Sequence, residues 1–219
     1  MVRPTYTNPN STLIFYPESV ESRYLADADE DMARLIESVG EVRVDIEADG
    51  FFSLARAICD QQISLSAARS IWARFDMLCE HAVTLEVVEA LDVEAMRACG
   101  FSERKALYIK DLSHCVTTGR IDFERLATLD DEEIIEQLVQ VKGIGRWTAE
   151  MFLIFALARE DVFALDDGGL HSSVCALKGL ESTAPKAMIE AISQDWMPYR
   201  TCASLYLWRG LGQGVLQSL

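Results

Sequence analysis

Several features that would place a sequence in a common functional class are missing from this one. Its three histidines have no metal-ligand spacing and its six cysteines include no Cys-x-x-Cys pair, which argues against structural zinc and a disulfide framework. The longest uninterrupted apolar run, Met151 to Ala158, is too short to cross a bilayer. Nothing at Met1 resembles a signal peptide. We therefore expect a cytosolic protein without a structural metal.

Positive charge is also scarce. The chain has 20 lysines and arginines against 35 acidic residues, a net charge of -15, whereas nucleic-acid-binding domains are usually basic. The acids are concentrated, however, with eleven acidic residues and three arginines between Glu18 and Asp49. The segments from Gln61 to Phe75 and from Met197 to Leu219 contain no acid. These two segments could therefore contact a polyanion such as a nucleic acid without charge repulsion. A salt-adapted proteome is an alternative explanation of the excess of acidic residues.

The pattern of apolar residues predicts an all-α fold. A hydrophobic content of 50% excludes disorder, and 219 residues suffice for one large or two small domains. Turn signals at Gly100, Gly119 and Gly143 separate stretches with helical spacing. Strand-like alternation is confined to Glu41 to Asp45.

A glycine-containing turn interrupts the helical pattern in the second half of the chain. Asp130 and Glu133 resemble the capping pair that starts a helix, and apolar residues at helical spacing carry that helix into Val141. Gly143 and Gly145 then break it, because glycine tolerates positive φ and allows close approach of the backbone. The sequence therefore predicts a helix that ends in a tight turn.

A second helix is predicted from Thr148 to Leu157, so the whole unit is helix, turn, helix. Backbone N–H groups of Gly143, Gly145 and the next residues would lie at its N-terminus, where the helix dipole favours an anion such as phosphate. Lys142 and Arg146 stand beside the turn. An ordinary glycine-capped helical hairpin is the alternative interpretation.

The segment LVQVKGIGRWTAEMFLIFALAREDVFALDD, from Leu138 to Asp167, resembles the helix-hairpin-helix DNA glycosylase superfamily. It is most similar to the alkylated-base branch, the 3-methyladenine DNA glycosylase II proteins. Three further segments match in the same order: FFSLARAICDQQISLSAARSIWARF from Phe51, GFSERKALYIKDLSHCVTTGRID from Gly100 and DWMPYRTCASLYLWRG from Asp195. The resemblance implies base excision repair, in which the N-glycosidic bond of a damaged base is hydrolysed after the nucleotide is rotated out of the duplex.

The resemblance also implies two helical subdomains that flank a cleft. Residues 18–55 and 160–219 would form one discontinuous subdomain, and residues 56–159 the other, with a wedge loop at 61–64 and the helix-hairpin-helix motif at 130–157. Residues 1–17 would be an N-terminal extension. Asp167 would stand where the chain crosses between the subdomains.

Asp167 matches the catalytic aspartate of the family. A carboxylate there would stabilise the positive charge that develops on the sugar and would orient or deprotonate the attacking water. At an effective dielectric constant near 20 and a separation of about 4 Å, such a contact is worth on the order of 4 kcal/mol, or about three powers of ten in rate. Capping of the following helix is the alternative role of Asp167. Relatives commonly carry a bulky apolar residue after the aspartate and a proline shortly before it, so Gly168 and Ala164 predict a looser loop.

Trp147 occupies the position where bifunctional members of the superfamily carry a Schiff-base lysine. No lysine lies between Lys142 and Lys178, so we predict a monofunctional glycosylase without lyase activity. The resemblance places Trp147, Trp208 and Met151 around the base pocket, where indole faces would attract a positively charged alkylated base. The alternative is that both tryptophans are core residues.

Two further sets of residues correspond to DNA contacts in the family. The minor-groove wedge comprises Gln61, Gln62, Ile63 and Ser64, and either Gln62 or Ser64 would plug the space left by the base. An exposed helix start is the alternative for this segment. The hairpin residues expected to contact the DNA backbone are Lys142, Gly143, Gly145, Arg146 and Thr148.

We expect no cofactor, apart from a monovalent cation that the hairpin carbonyls could hold. The expected partner is double-stranded DNA that contains alkylated purines of the 3-methyladenine or 7-methylguanine type, bound by a monomer. Three alternatives remain open at this point. They are a catalytically weak or inactive damaged-DNA-binding protein, a module that grips DNA for a partner enzyme, and a glycosylase for deaminated or oxidised bases.

Overall fold

A computed structural model describes residues 12–217 of the chain. Within this range the elements are two strands and thirteen α-helices, followed by a 3-10 helix, Val215–Gln217. The strands are β1 (Thr12–Phe15) and β2 (Val42–Asp45). The helices are α1 (Val20–Ala28), α2 (Glu30–Val39), α3 (Gly50–Asp60), α4 (Leu65–Leu78), α5 (Leu85–Ala90), α6 (Val93–Ala98), α7 (Glu103–Thr117), α8 (Phe123–Leu126), α9 (Asp131–Leu138), α10 (Arg146–Phe155), α11 (Gly168–Leu177), α12 (Lys186–Gln194) and α13 (Arg200–Gln213).

The chain divides into two compact units. Within the described residues, the first unit comprises 12–46 and 153–217, and the second comprises 47–152. The first unit is therefore discontinuous, and the boundary at 152/153 falls inside α10.

The core of the first unit is built around α13, which packs against α1, α2 and α11. Leu35 and Leu170 are fully buried there, and the buried phenol of Tyr206 lies 3.2 Å from the Ser22 hydroxyl. Gly210 lets α13 approach α2 closely, because a Cβ at this position would stand 2.6 Å from Leu35 Cδ1. This packing fixes α11, which begins directly after the predicted catalytic residue, Asp167.

The buried carboxylate of Asp29 connects the start of α2 to the end of α11 and to the segment after α12. Asp29 caps α2 by accepting hydrogen bonds from the amides of Asp31 and Met32, and it also accepts from Lys178 Nζ and Trp196 Nε1. Burial raises the pKa of Asp29, but the hydrogen bonds from Lys178, Trp196 and the Met32 amide, together with the charge of Lys178, outweigh the effect of burial, so the pKa lies below its usual value. The end of α11 is thereby attached to α2.

The second unit is organised around α7, which packs against α3, α5 and α6. Edge-to-face aromatic contacts connect Phe52, Trp72, Phe75 and Phe101 in its core. At the start of α3, a Cβ on Gly50 would stand 2.4 Å from the ring of Phe123, so glycine allows α3 and α8 to approach closely.

The all-α prediction is confirmed, with the addition of one small sheet. Strand β2 matches the alternation predicted at Glu41 to Asp45, and it pairs antiparallel with β1, from Thr12 opposite Asp45 to Phe15 opposite Val42. Of the predicted N-terminal extension, residues 1–17, residues 12–15 form this strand, while residues 1–11 lie outside the described range. Four residues are too short a pattern to identify without their partner strand.

The unit boundaries also differ from the predicted ones. They fall at 46/47 and 152/153, rather than at 55/56 and 159/160. The difference arises because α3 packs against α4 and α7 and so belongs wholly to the second unit. Asp167 does not stand at the crossing, which occurs inside α10, but at the start of α11 in the first unit. Among residues 12–217, no helix is long and apolar enough to span a membrane.

Candidate active site and helical hairpin

The predicted hairpin is present in the second unit. Helix α9 begins with the predicted capping box, in which the Asp130 amide donates to Glu133 Oε2 at 3.0 Å. It ends at Leu138, three residues before the predicted Val141, because the chain turns there: the Val141 amide donates to the Leu138 carbonyl at 3.0 Å. Helix α10 begins at Arg146, two residues before the predicted start.

The two glycines of the turn have different surroundings. Gly143 has φ of +85°, and a Cβ there would stand 2.1 Å from the ring of Tyr108, so both backbone conformation and packing require glycine. At Gly145, by contrast, no atom of its own unit lies within 4 Å of the Cβ position. Gly143 therefore serves the fold, whereas Gly145 leaves the outer surface of the turn open.

Both cations that flank the turn are paired with carboxylates. Lys142 Nζ lies 3.4 Å from Asp111 Oδ1, and the Lys142 amide donates to Asp111 Oδ2 at 3.0 Å. Arg146 forms a two-pronged contact with the Glu132 carboxylate, and its Nε donates to Glu150 Oε1 at 3.0 Å. The hydrogen bond from Arg146 lowers the pKa of Glu132. Both side chains that were predicted to bind phosphate are thus paired with carboxylates of the same unit.

The four residues of the predicted wedge do not act alike. Gln61 turns its side chain to the hairpin, where Nε2 donates to the Gly143 carbonyl at 2.8 Å and to Thr148 Oγ1 at 3.2 Å. Gln62 is exposed and adopts a left-handed conformation, with φ of 55°. Ile63 is exposed too, and Ser64 caps α4 by accepting from the Ala67 amide at 3.3 Å. The outward tip of the loop is therefore Gln62 and Ile63.

The hydrogen bond from Gln61 also restricts Thr148. Its side chain is buried, at 3% exposure, and its hydroxyl accepts from Gln61, so it faces the protein interior. Beside these residues lies an open groove with a volume of about 300 Å³. Its lining comprises Gln61, Gln62, Arg104, Lys105, Tyr108, Gly143, Ile144 and Gly145.

Asp167 lies at the start of α11 in the first unit. Its Oδ1 accepts hydrogen bonds from the Leu170 amide at 2.8 Å and from Trp208 Nε1 at 2.9 Å. The first of these bonds is the predicted helix cap, and the second is a contact that the sequence did not indicate. The neighbouring Asp166 is exposed and pairs with Lys186, so the two consecutive carboxylates have different partners.

The four tryptophans fall into two classes. Trp72 and Trp196 are buried, at 7% and 0% exposure, and belong to the cores of their units. Trp147 and Trp208 are only partly buried, which departs from the core alternative. Trp208 also stacks on Phe155, with ring centroids 6.0 Å apart and planes inclined by 27°. The indole of Trp208 therefore stacks on Phe155 and donates its N–H to Asp167.

The predicted site residues thus form two groups, each within one unit. Asp167 and Trp208 are in direct contact in the first unit, and the wedge loop and hairpin are in direct contact in the second. Met151 is almost fully buried, at 9% exposure, on the same helix as Trp147. A cleft that joins the two groups stays a prediction.

Sequence reasoning missed several residues of α7 that support the second group. Lys105 donates to the carbonyls of Cys59 and Gln61, both at 2.6 Å, Tyr108 packs against Gly143, and Asp111 binds Lys142. The only signal in the sequence is their regular spacing, three residues apart, along one side of a helix.

The comparisons with known proteins identify the family of this chain. Residues 55–199 match the HhH-GPD superfamily of base excision DNA repair proteins. The chain is 37% identical to DNA-3-methyladenine glycosylase 1 of Schizosaccharomyces pombe over 192 residues, which cover 85% of this chain and 84% of the relative.

Two solved structures are similar in fold. The DNA-3-methyladenine glycosidase of Bacillus halodurans superimposes with a TM-score of 0.82 at 34% identity, covering 93% of this chain and 94% of that one. The S. pombe 3-methyladenine DNA glycosylase Mag1 in complex with abasic DNA gives a TM-score of 0.81 at 36% identity, covering 87% and 96%. The chain therefore belongs to the HhH-GPD superfamily of base excision DNA repair proteins.

Proposed function

We propose that this protein is a monofunctional DNA glycosylase that removes alkylated purines, of the 3-methyladenine or 7-methylguanine type, after base flipping. The relatives named for 3-methyladenine support this substrate class. The observation that carries the proposal is the position of Asp167, whose carboxylate is held by a helix amide and by the indole N–H of Trp208.

The proposed role of Asp167 is electrostatic. Breaking the N-glycosidic bond leaves positive charge on the sugar, and a fixed carboxylate stabilises that charge more than a mobile one would. The donors at Leu170 and Trp208 hold Oδ1 in place, so little reorganisation is needed as the charge develops. Water that attacks the sugar would be oriented, or deprotonated, by the same carboxylate.

The proposed base pocket uses Trp147, Trp208 and Met151. Alkylation at a ring nitrogen makes a purine cationic, and an indole face attracts such a cation by about 0.5 to 2 kcal/mol. The partial exposure of Trp147 and Trp208 supports this role, because a fully buried indole could not reach a ligand. A pocket of this kind discriminates by charge and shape, so we expect it to accept several alkylated purines.

We propose that strand cleavage does not accompany base release. A lyase needs an amine that forms a Schiff base with the sugar, and Trp147 stands where the family's bifunctional members carry that lysine. The product would be an intact strand with an abasic site.

The DNA backbone would contact the hairpin at Lys142, Gly143, Gly145, Arg146 and Thr148, with Gln62 and Ile63 at the tip of the wedge. Open space at Gly145 supports close approach of a phosphate to the backbone. Because Thr148 is buried, its contact would be made through the main chain. We propose a monomer that acts on double-stranded DNA in the compartment that holds the chromosome.

A monovalent cation at the hairpin carbonyls is compatible with the structure. The Val141 carbonyl accepts from the Ile144 amide, and the Gly143 carbonyl accepts from Gln61. Each carbonyl oxygen has two lone pairs, so a second ligand is possible at both. The cation would attract the DNA phosphate that approaches the turn.

Base release from duplex DNA containing 7-methylguanine tests the proposed function. Asp167→Asn should slow release about a thousandfold, the effect of losing on the order of 4 kcal/mol of charge stabilisation. Asparagine is as good a helix cap as aspartate, so the fold should be retained. Asp166→Asn is the matched control, because it removes the same charge from an exposed neighbour, and it should change the rate less than about threefold.

Borohydride trapping tests the absence of lyase activity. The wild type should release base without strand scission and without a covalent adduct. Equal release by wild type and Asp167→Asn would overturn the assignment of the catalyst, and a trapped adduct would overturn the monofunctional mechanism.

A further inference from the structure

The base of the wedge loop is attached to the hairpin by one side chain. Gln61 ends α3, and its amide nitrogen donates to the Gly143 carbonyl at 2.8 Å and to the Thr148 hydroxyl at 3.2 Å. These partners lie 82 and 87 residues away in the chain. One amide therefore connects the end of α3 both to the turn and to the first residues of α10.

The main chain of Gln61 is held as well. Lys105 Nζ donates to the carbonyls of Cys59 and Gln61, both at 2.6 Å. Burial lowers the pKa of Lys105. The side chain and the backbone of Gln61 are thus fixed by separate elements, the hairpin and α7.

The partners of Gln61 are enclosed by other residues of the same unit. Thr148 is buried at 3% exposure, and Gly143 is confined by the ring of Tyr108. Gln62, the next residue, is exposed and left-handed, with φ of 55°. The change from a fixed residue to an exposed tip occurs across a single peptide bond.

We infer that Gln61 is a positioning residue that holds the wedge tip at a fixed distance from the hairpin. The hairpin would then bind a DNA phosphate at the same time as the wedge tip inserts into the duplex. The inference rests on the proposed function, in which residues 62–63 enter the minor groove. It gives Gln61, a member of the predicted wedge segment, the role of positioning the neighbouring residues that insert.

This role has a consequence that depends on the DNA substrate. A lesion in a base pair must be unstacked before it is cleaved, and a well-aimed wedge offsets part of that free energy. A lesion that is already unpaired needs less help from the wedge. Loss of the connection should therefore slow release of a paired base more than release of the same base from a single-nucleotide bulge.

The test compares Gln61→Met with the wild type on 7-methylguanine in these two contexts under single-turnover conditions. Methionine matches glutamine in size and lacks the amide donor. We expect release of the paired base to slow about tenfold, which corresponds to about 1.4 kcal/mol, and release from the bulge to change less than about twofold. Thr148→Val removes one of the two hydrogen bonds and should give an intermediate effect.

Gln194→Met is the matched control, because it makes the same chemical change at an exposed position of α12 in the other unit. It should leave both rates unchanged. Thermal unfolding of each variant separates loss of positioning from loss of folded protein. Equal slowing of both substrates by Gln61→Met, or no slowing of either, would overturn the inference.

A second measurement needs no catalysis. Insertion of the wedge should raise the fluorescence of 2-aminopurine placed beside a tetrahydrofuran abasic analogue in duplex DNA. We expect a smaller rise with Gln61→Met than with wild type at saturating protein, and an equal rise would overturn the inference. If the wild type releases no 7-methylguanine, the proposed function fails, while this fluorescence change still decides the role of Gln61.

Discussion

The hairpin and the first turn of α11 each contain two glycines beside a predicted site residue, and in both places the two glycines have different roles. Gly143 is enclosed by Tyr108, whereas Gly145 faces open space. In the other unit, a Cβ on Gly169 would stand 3.0 Å from Asp167 Oδ1 and 3.5 Å from Trp208, whereas Gly168 has no atom of its unit within 4 Å of that position. In each pair, one glycine serves packing and the other leaves a surface open.

The two regions differ in how their charged groups are held. Asp167 receives hydrogen bonds only from neutral N–H donors among its contacts described above, so its charge is not cancelled by those partners. Lys142 and Arg146 are instead paired with carboxylates. Asp167, the proposed catalyst, is therefore held by neutral donors, whereas Lys142 and Arg146 would have to exchange partners in order to bind DNA.

The largest expected effect concerns Gly143. Gly143→Ala adds a Cβ 2.1 Å from Tyr108 at φ of +85°, so we expect the free energy of unfolding to fall by about 2 to 4 kcal/mol, measured by urea denaturation. Gly119→Ala is the control, since φ is +72° there and no atom of its unit crowds the site. It isolates the backbone strain of about 1 to 2 kcal/mol, and equal values for the two variants would contradict the packing argument.

Gly145→Ala should separate folding from binding. The free energy of unfolding should change by less than about 1 kcal/mol, because the added methyl meets nothing in its unit. Affinity for duplex DNA should fall roughly fivefold to tenfold, or about 1 to 1.4 kcal/mol, because the methyl keeps the phosphate away from the backbone. Fluorescence anisotropy measures the affinity, and unchanged binding would place the phosphate elsewhere.

Removal of one carboxylate should make the hairpin a better DNA ligand. Glu132→Gln frees Arg146 from its two-pronged contact, so affinity at low salt should rise about threefold to tenfold, with a steeper dependence on salt concentration. Glu136→Gln removes the same charge from an exposed position of α9. The difference in DNA affinity between the two variants measures the effect of freeing Arg146 from Glu132. An equal rise in affinity for both variants would mean that only net charge matters.

The smallest effect is expected at Gly168. Gly168→Ala restricts the backbone conformations next to Asp167, and the added methyl group contacts no other atom of its unit. The rate of base release should therefore change by less than about threefold. Single-turnover rates measure this. A large increase would show that the wild-type loop is too mobile to hold the carboxylate, as its sequence suggested.

Much of the fold followed from local patterns in the sequence. The capping box at Asp130 and Glu133, the turn at Gly143 and the cap at Asp167 depend on residues close together in the chain, and each is present. Resemblance to the superfamily supplied the function, which patterns of this kind do not encode.

The remainder depends on contacts between distant residues. The resemblance to the family groups Gln61 with the wedge loop, but the partners of its side chain lie in the hairpin. Lys142 and Arg146 looked like free cations because Asp111 and Glu132 are brought to them only by folding. A single sequence identifies charged groups, but it does not show which of them neutralise one another.

The spacing of Lys105, Tyr108 and Asp111 on α7 has a consequence for how this protein can change. Each residue of a helix is rotated by about 100° from the last, so deletion of one residue between Lys105 and Asp111 would turn one end away from its partners. The wedge contact or the hairpin contact would then be lost, however well both loops were preserved. A single insertion or deletion in this helix, far from Asp167 in the chain, would therefore be enough to impair DNA binding. Homologous proteins should accordingly differ in α7 by substitution rather than by insertion.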